Sequence, residues 1–380
     1  MEGPASVASP SKSSKRAFGR KKKIILLAET EKDEIARFYS ITENKMSRFS
    51  IVSRQQPWFN RVQKTIRHGD IPWQVIIILM SIVIIIVMVS IGWMLWRDSS
   101  TSRTEFGWSF ILPTANATWD PVNSIFQSWP FIYGTLLTSV TALILAVPVS
   151  LGIAIFLAEL CPERLRLPLN WLVELLAAIP SVIYGLWGIF VFLPTVVAPV
   201  GVFLLNTLGH IPGINILFTG PVPESGSSRL AAAFILMIMI IPTISAVTRD
   251  VLLSIPNDQR EAAMALGATK WESIWQVILP FGMSGILGAV ILGLGRALGE
   301  TMAVTMVIGN SIEGTPSLLR PGYTMASIIA NEFAEAVTTL HTEALIEIGL
   351  TLFFITLLLN IIARLLVWSV ARRTTQEARA

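Results

Sequence analysis

The segment DQREAAMALGATKWESIWQVILP, residues 258–280, is polar and lies between two apolar parts of the chain. Asp258 and Glu261 have the spacing of a capping box, the pair of side chains that satisfies the first backbone N–H groups of a helix. Thr269 and Glu272 repeat this spacing. The segment is therefore predicted to contain two short, capped helices.

A glycine separates the two predicted helices. Gly267 suits the left-handed residue that ends a helix, and Pro280 is predicted to end the second one. The result is an elbow, residues 256–280, whose first arm carries Ala262 and Ala263 and so presents a smooth surface. Smooth, rigid helices suit docking into a groove of another protein. An ordinary amphipathic connector is the alternative interpretation.

The composition indicates an integral membrane protein. Of 380 residues, 53% are hydrophobic and 14% are charged, whereas an ordinary soluble domain carries about 25% charged residues. Residues 71–96 contain no charge, and about 20 apolar residues suffice to cross the hydrocarbon core. Five further spans are predicted at 131–158, 168–193, 230–248, 282–309 and 346–369. The predicted fold is all-α, with six transmembrane helices.

The distribution of basic residues predicts the orientation. The segments on the side of the N-terminus, elbow and C-terminus hold 24 Lys and Arg, and the opposite segments hold 4. By the positive-inside rule, both termini and the elbow are predicted to be cytoplasmic. Residues 1–70 are predicted to be a basic cytoplasmic extension with a candidate interfacial helix, 71–370 the transmembrane domain and 371–380 a cytoplasmic tail.

Two charged residues fall inside the fifth predicted span. Arg296 and Glu300 lie in GRALGET, and each charge costs roughly 2.5 to 3.5 kcal/mol at the centre of a membrane helix. A contact between residues four apart offsets only about 0.2 to 0.5 kcal/mol in water. A structural ion pair is one interpretation of these residues. The other is a pathway for an anion.

The chemistry of this pair favours phosphate. The planar guanidinium of Arg296 suits a tetrahedral oxyanion, while an ionised Glu300 repels anions that offer it no proton. Phosphate at neutral pH still carries an O–H group, and sulfate carries none. We hypothesise that Arg296 attracts the anion and that Glu300 accepts the phosphate O–H and disfavours sulfate.

The elbow resembles the EAA signature of ABC importer permeases. Glu261-Ala262-Ala263 is followed after three residues by Gly267, and after nine more by Val277 to Pro280, with Val in place of the usual Ile. Four further segments resemble the PstC family of phosphate importer permeases, over about residues 71 to 370. They are GRALGETMAV (295–304), LAAIPSVIYGLWGIFVFLP (176–194), PFIYGTLLTS (130–139) and PGYTMASIIANEFAEA (321–336).

The resemblance implies a type I ABC importer permease in the bacterial plasma (inner) membrane, with no cofactor of its own. The implied partners are the sister permease PstA, two copies of the ATPase PstB, the extracytoplasmic phosphate-binding protein PstS, and inorganic phosphate. In the family the EAA loop receives the movement of the ATPase, a role that maps onto Glu261, Ala262, Ala263 and Gly267. The phosphate pathway of the family maps onto Arg296 and Glu300.

Three rival functions remain open from the sequence. A membrane enzyme is disfavoured because the chain has no G-x-x-x-x-G-K-[ST], H-E-x-x-H or G-x-S-x-G motif. The missing phosphate-binding loop also indicates that ATP hydrolysis belongs to a partner. A secondary anion transporter would have no need for the elbow and would be expected to show an inverted repeat. An ABC permease for sulfate or molybdate is the nearest alternative.

The predicted outer loops offer no metal site. Trp108, Trp119 and Trp129 are predicted to be interface anchors. His341 is a single histidine near several carboxylates, which makes a poor metal site, so it is predicted to lie on a solvated or docking surface.

Overall fold

The computed structural model describes residues 70–113, 118–312 and 314–377. The chain divides into two units, residues 1–87 and 88–380, and residues 70–87 are the described part of the first. Apart from Asp70, the predicted N-terminal extension and its candidate interfacial helix lie outside the described residues. The predicted domain limits therefore stay predictions.

Helices make up the regular structure of the described residues, which contain no β-pairing beyond two isolated bridges. In chain order the helices are α1 Asp70–Asp98, α2 Ser100–Phe106, α3 Trp129–Leu160, α4 Glu163–Ala178, α5 Ser181–Leu208, α6 Arg229–Leu253, α7 Asn257–Ala265, α8 Lys270–Gly299, α9 Met302–Val307, α10 Met325–Glu332 and α11 Thr339–Glu377. Three of them, α3, α5 and α8, include a stretch with the wider π-helical turn.

Six of these helices are long and apolar enough to cross a membrane: α1, α3, α5, α6, α8 and α11. The prediction of an all-α membrane protein with six spans is therefore confirmed. The apolar side chains that cover the outer faces of these helices are the surface expected of a protein solvated by lipid.

Helix α6 lies at the centre of the bundle and packs against α3 and α8. Of its most apolar stretch, 61% is buried inside the protein, compared with 33% for α3 and for α8. Ala231, Ala232 and Ala233 are entirely buried near its start. Small residues let helix backbones approach closely, and this close packing stabilises the bundle in lipid, where the hydrophobic effect does not drive helices together. Larger core residues, among them Ile235 and Met239, fill the space further along the helix.

The third predicted span, 168–193, is wrong in its limits. Helix α4 ends at Ala178 and α5 begins at Ser181, and between them Ile179 is extended, with φ −64° and ψ 128°. The reason is Pro180, because the residue before a proline is sterically disfavoured from the helical conformation. The spanning helix starts only after this proline, and α4 is a separate amphipathic helix.

A second proline in this region is accommodated without a break. Pro194 lies within the π-helical stretch Gly188–Val197 of α5, where the changed hydrogen-bond register takes up the missing N–H group. The helix continues to Leu208. Whether a proline breaks the helix depends on the local register of the backbone hydrogen bonds, which composition does not reveal.

The fifth predicted span, 282–309, is also corrected. Helix α8 begins at Lys270 and ends at Gly299, and Glu300 is extended with φ −69° and ψ 125°. The short helix α9 then starts at Met302. The sequence has no proline and no run of charges between Gly299 and Met302. The apolar pattern on both sides therefore predicted an unbroken helix. The break falls on one of the two predicted site residues.

Candidate functional site

The elbow consists of α7 and the first turns of α8, joined at Gly267. This glycine has φ +91°, the left-handed conformation predicted for it. The backbone N–H of Glu272 donates to Thr269 Oγ1 at 3.3 Å, and the N–H of Thr269 donates to the Glu272 carboxylate at 2.8 Å. The second predicted capping box is therefore confirmed.

The first predicted capping box is wrong. Helix α7 begins at Asn257, directly after Pro256, and Asp258 makes no capping hydrogen bond. Because the helix starts two residues earlier than an N-cap at Asp258 would place it, Asp258 lies inside its first turn. There its charge still interacts favourably with the helix dipole.

Pro280 does not end the second arm, contrary to the prediction. A π-helical turn, Ile274–Ile278, precedes it, and regular α-helix resumes at Leu279 with the proline in its first turn. A proline costs little stability there, because the shift in hydrogen-bond register means that no backbone N–H is needed at this position. Helix α8 consequently runs without a break from the elbow to Arg296.

The predicted contact residues of the elbow differ in exposure. Glu261, Ala262 and Gly267 are exposed, whereas Ala263 is buried, so the smooth arm faces outwards only in part. Sequence reasoning missed the exposed apolar residues beside them, of which Leu266 is 91% exposed. The others are Met264, Trp271 and Trp275. Apolar side chains within a polar segment were the available signal for a docking surface.

Arg296 and Glu300 form no hydrogen bond or ion pair with each other in the structure. Arg296 is half-buried, and its Nη1 donates to Thr243 Oγ1 of α6 at 3.1 Å. Glu300 Oε1 accepts a hydrogen bond from the backbone N–H of Ala303 at 3.3 Å, at the start of α9. No ion pair joins the two described side chains, so the structural ion pair, one of the two interpretations of these residues, is absent. The break at Glu300 turns its carboxylate towards α9.

A cavity of about 940 Å³ lies beside Arg296, between α6, α8 and α11. A Cβ atom added to Gly288 or Gly295 would meet nothing within 4 Å, so α8 leaves this side open. No Asp or Glu is among the residues that line the cavity, and two of them are arginines. They are Thr243, Gly288, Ile291, Leu292, Gly295, Arg296, Asn360, Arg364, Val367 and Trp368.

The protein family follows from comparison with known proteins. The family model described as "Binding-protein-dependent transport system inner membrane component" matches residues 150–376, more than half of the chain. The chain belongs to this family.

Its relatives include bacterial PstC proteins. The phosphate transport system permease protein PstC of Xylella fastidiosa is 46% identical over 280 residues, which cover 74% of this chain and 84% of the relative. PstC of Mesorhizobium japonicum is 44% identical over 294 residues, covering 77% and 88%. A solved bacterial ABC transporter involved in the import of alginate has a TM-score of 0.51 and 18% identity, covering 81% of this chain and 99% of its own.

These matches confirm the resemblance to PstC and the type I ABC importer permease fold. A binding-protein-dependent permease is a multi-pass membrane subunit and not an enzyme, and ATP hydrolysis belongs to partner ATPases. The family also implies a binding protein that presents the substrate.

Arg260 anchors the elbow of this permease, and sequence reasoning missed it. Its Nη2 lies 2.7 Å from Glu159 Oε1 at the end of α3, and the two side chains are only 16% and 12% exposed. The same guanidinium donates to the backbone carbonyls of Leu252 at 2.8 Å and Ile255 at 2.6 Å. One side chain therefore joins α7 to the ends of α3 and α6.

The aromatic residues far from the elbow correct two predictions. Trp119, predicted to be an interface anchor, is 2% exposed, and its Nε1 donates to Glu332 Oε2 at 2.7 Å. His341, predicted to lie on a solvated or docking surface, is buried with Nε2 3.1 Å from the same oxygen, and it stacks on Phe126. Trp108 is exposed as an anchor would be. The loop before α3 folds onto the bundle and forms part of its core.

We expect Glu159→Ala to loosen the elbow. A mostly buried Arg260 without its partner should cost about 3 to 5 kcal/mol, because the charge stays desolvated. The amides of residues 257–265 should then exchange with solvent much faster, as measured by hydrogen–deuterium exchange of the purified protein. Glu163→Ala is the matched control, since Glu163 is an exposed acid four residues along the chain. Equal exchange in both variants would contradict the anchoring role.

Proposed function

We propose that this permease is a subunit of an ATP-driven importer of inorganic phosphate in the bacterial plasma (inner) membrane. The observation that carries the proposal is the Arg296 guanidinium, which lies half-buried on a membrane-spanning helix beside a cavity whose lining holds no carboxylate. The name of the relatives, phosphate transport system permease protein, supports phosphate as the substrate.

Arg296 supplies the attraction for the anion. Its charge costs roughly 2.5 to 3.5 kcal/mol at membrane depth. The hydrogen bond to Thr243 has a charged donor, and bonds of this kind contribute about 1.5 to 3 kcal/mol, but it uses only one of the five N–H groups of the guanidinium. A tetrahedral oxyanion would satisfy the remaining donors, since the planar guanidinium fork matches two of its oxygens.

Glu300 supplies the selection between oxyanions. Its Oε2 accepts no hydrogen bond from a described residue, whereas Oε1 is held by the N–H of Ala303. The free oxygen can accept the O–H of hydrogen phosphate, while sulfate would meet only repulsion. The geometry that holds Glu300 away from Arg296 also keeps the guanidinium available to the anion.

The elbow couples the permease to ATP hydrolysis. In this proposal the elbow is cytoplasmic, as the basic residues predict, and Glu261, Ala262, Ala263 and Gly267 contact one of two PstB ATPases. The exposed Leu266 adds an apolar contact. The sister permease PstA completes the pathway, and PstS delivers phosphate at the outer face.

Another oxyanion is the second candidate substrate. The fork of Arg296 would bind sulfate or molybdate equally well, and Glu300 is the feature that favours phosphate over both. A secondary anion transporter is not a candidate, since membership of the binding-protein-dependent family makes the chain an ABC permease.

We expect Arg296→Gln to reduce phosphate uptake at least tenfold in the reconstituted complex with its permease, ATPase and binding-protein partners. Losing a charge-assisted contact of this kind typically costs more than the roughly 1.4 kcal/mol that corresponds to tenfold. Arg296→Lys keeps the charge without the planar fork. If Arg296→Lys retained full uptake while Arg296→Gln lost it, Arg296 would act only by setting the local potential and not by binding the anion with its fork. Full uptake by Arg296→Gln would contradict the proposed pathway.

Glu300→Gln is expected to narrow the preference for phosphate over sulfate. The amide oxygen of Gln can still accept the N–H of Ala303, so the start of α9 is retained while the charge is removed. The measurement is uptake of labelled phosphate with sulfate as competitor. Unchanged uptake and unchanged discrimination would exclude this role for Glu300.

Gly267→Val is expected to separate ATP hydrolysis from uptake while the complex still assembles. A β-branched residue cannot adopt φ +91° without strain, so the elbow would change shape at the contact with the ATPase. Gly267→Asn is the control, because Asn tolerates the left-handed conformation. ATPase activity and phosphate uptake are measured together on copurified complex. Normal phosphate accumulation with Val would refute the coupling role.

A further inference from the structure

A second arginine, Arg364 of α11, lines the same cavity as Arg296. We propose that Arg364, together with Asn360, forms a second binding station for the transported phosphate, on the elbow side of Arg296. This inference rests on the proposed function and extends it from an anion site to an ordered exit path.

The two arginines lie at different depths. The end of α3 packs with the first turns of α8, whereas the start of α3 packs with the start of α11. Helix α8 therefore runs away from the elbow and α11 runs back towards it, so the two helices are antiparallel along the cavity. The lining covers residues 288–296 on α8 and 360–368 on α11, about 12 Å on each at a rise of 1.5 Å per residue. Arg296 lies at the end far from the elbow. Arg364 lies about 6 Å closer to the elbow than Asn360, one helical turn along α11.

Neither guanidinium is satisfied by the protein. Arg364 makes no hydrogen bond or ion pair with a described residue, and Arg296 makes only the bond to Thr243. Two like charges beside one cavity without a carboxylate repel each other and favour an anion between them. An oxyanion leaving Arg296 would therefore meet a second cation before it reached the elbow side.

The amide of Asn360 fits the same role. Its Nδ2 donates to the backbone carbonyl of Thr356 at 2.8 Å, which fixes the side chain one turn above Arg364. The second hydrogen of this amide can donate to an oxygen of the anion. The second station then combines one cation, Arg364, with one neutral donor, Asn360. This pair should bind phosphate more weakly than two arginines would, which is compatible with release of the anion.

One chemistry, a tetrahedral phosphate oxyanion, could come from two sources here. The first is the transported ion, and the second is the headgroup of a phospholipid beside the exposed end of Arg364. We favour the transported ion, because Arg296 and Thr243 line the same cavity and both belong to the proposed path.

The test uses the complete complex in proteoliposomes loaded with inorganic phosphate on the elbow side. Phosphate bound at the exit station should inhibit further uptake, and Arg364→Gln should raise the concentration for half-inhibition about tenfold or more. Arg364→Lys should raise it less, since it keeps the charge. Arg164→Gln is the matched control, because Arg164 is an exposed arginine of α4 that does not line the cavity.

Several outcomes would overturn the proposal. They are a wild-type complex that elbow-side phosphate does not inhibit, an Arg364→Gln variant with an unchanged half-inhibition concentration, and an Arg164→Gln variant that shifts as much. If Arg364→Gln failed to assemble, the same measurement on Arg364→Lys would decide, and an unchanged value would overturn the proposal.

Two further experiments are needed. The first distinguishes the transported ion from a phospholipid headgroup, and the second distinguishes the second station from the proposed function. Vesicles with and without phosphatidylglycerol distinguish the headgroup, because an effect of Arg364→Gln seen only with the anionic lipid would overturn a station for the transported ion. Arg296→Gln is assayed in parallel. Normal phosphate uptake by Arg296→Gln would contradict the proposed function. If Arg296→Gln lost phosphate uptake while Arg364→Gln kept the wild-type half-inhibition concentration, only the second station would be excluded.

Discussion

The backbone hydrogen bonding of α8 continues past Pro280, and the arrangement of both candidate sites depends on that continuity. The π-helical turn Ile274–Ile278 shifts the register so that the proline falls in a first-turn position. The elbow and Arg296 consequently belong to one helix. A helix is stiff along its axis, so a displacement of its elbow end would reach the depth of Arg296 without passing through a loop.

The buried arginines of α6 show what a structural arginine looks like in this protein. Arg229 is almost fully buried, and its Nη1 donates to the carbonyls of Thr315 at 2.8 Å and Ser317 at 2.9 Å. Arg249, at the other end of α6, pairs with Asp250 at 2.8 Å. Both charges are held by oxygen atoms of the chain. Among the described residues, Arg296 has a single hydrogen-bond partner, the hydroxyl of Thr243, and this contrast supports the proposed role of Arg296 in binding an anion.

Local patterns made part of this structure predictable. Apolar length fixed the number of spans, and the conformation required of Gly267 follows from its place between two helical patterns. The break at Glu300 and the passage of α8 through Pro280 depend on packing and register, which no short pattern records. The contact of Arg260 with Glu159 joins residues 101 apart in sequence, so only the folded bundle brings them together. Their charge within an apolar span singled out Arg296 and Glu300 as candidates, but the sequence could not reveal that the two do not pair.

The glycines of α8 serve two faces of the helix. A Cβ atom at Gly285 or Gly293 would lie 2.6 Å from a side chain of α6, so these positions permit close packing of the two helices. At Gly288 and Gly295 the added atom would meet nothing within 4 Å, because this face borders the cavity. The tight face resists sliding of α8 along α6, whereas the open face offers no such resistance. In the proposed importer, a displacement of the elbow would therefore move α6 and α8 together and change the width of the cavity beside Arg296.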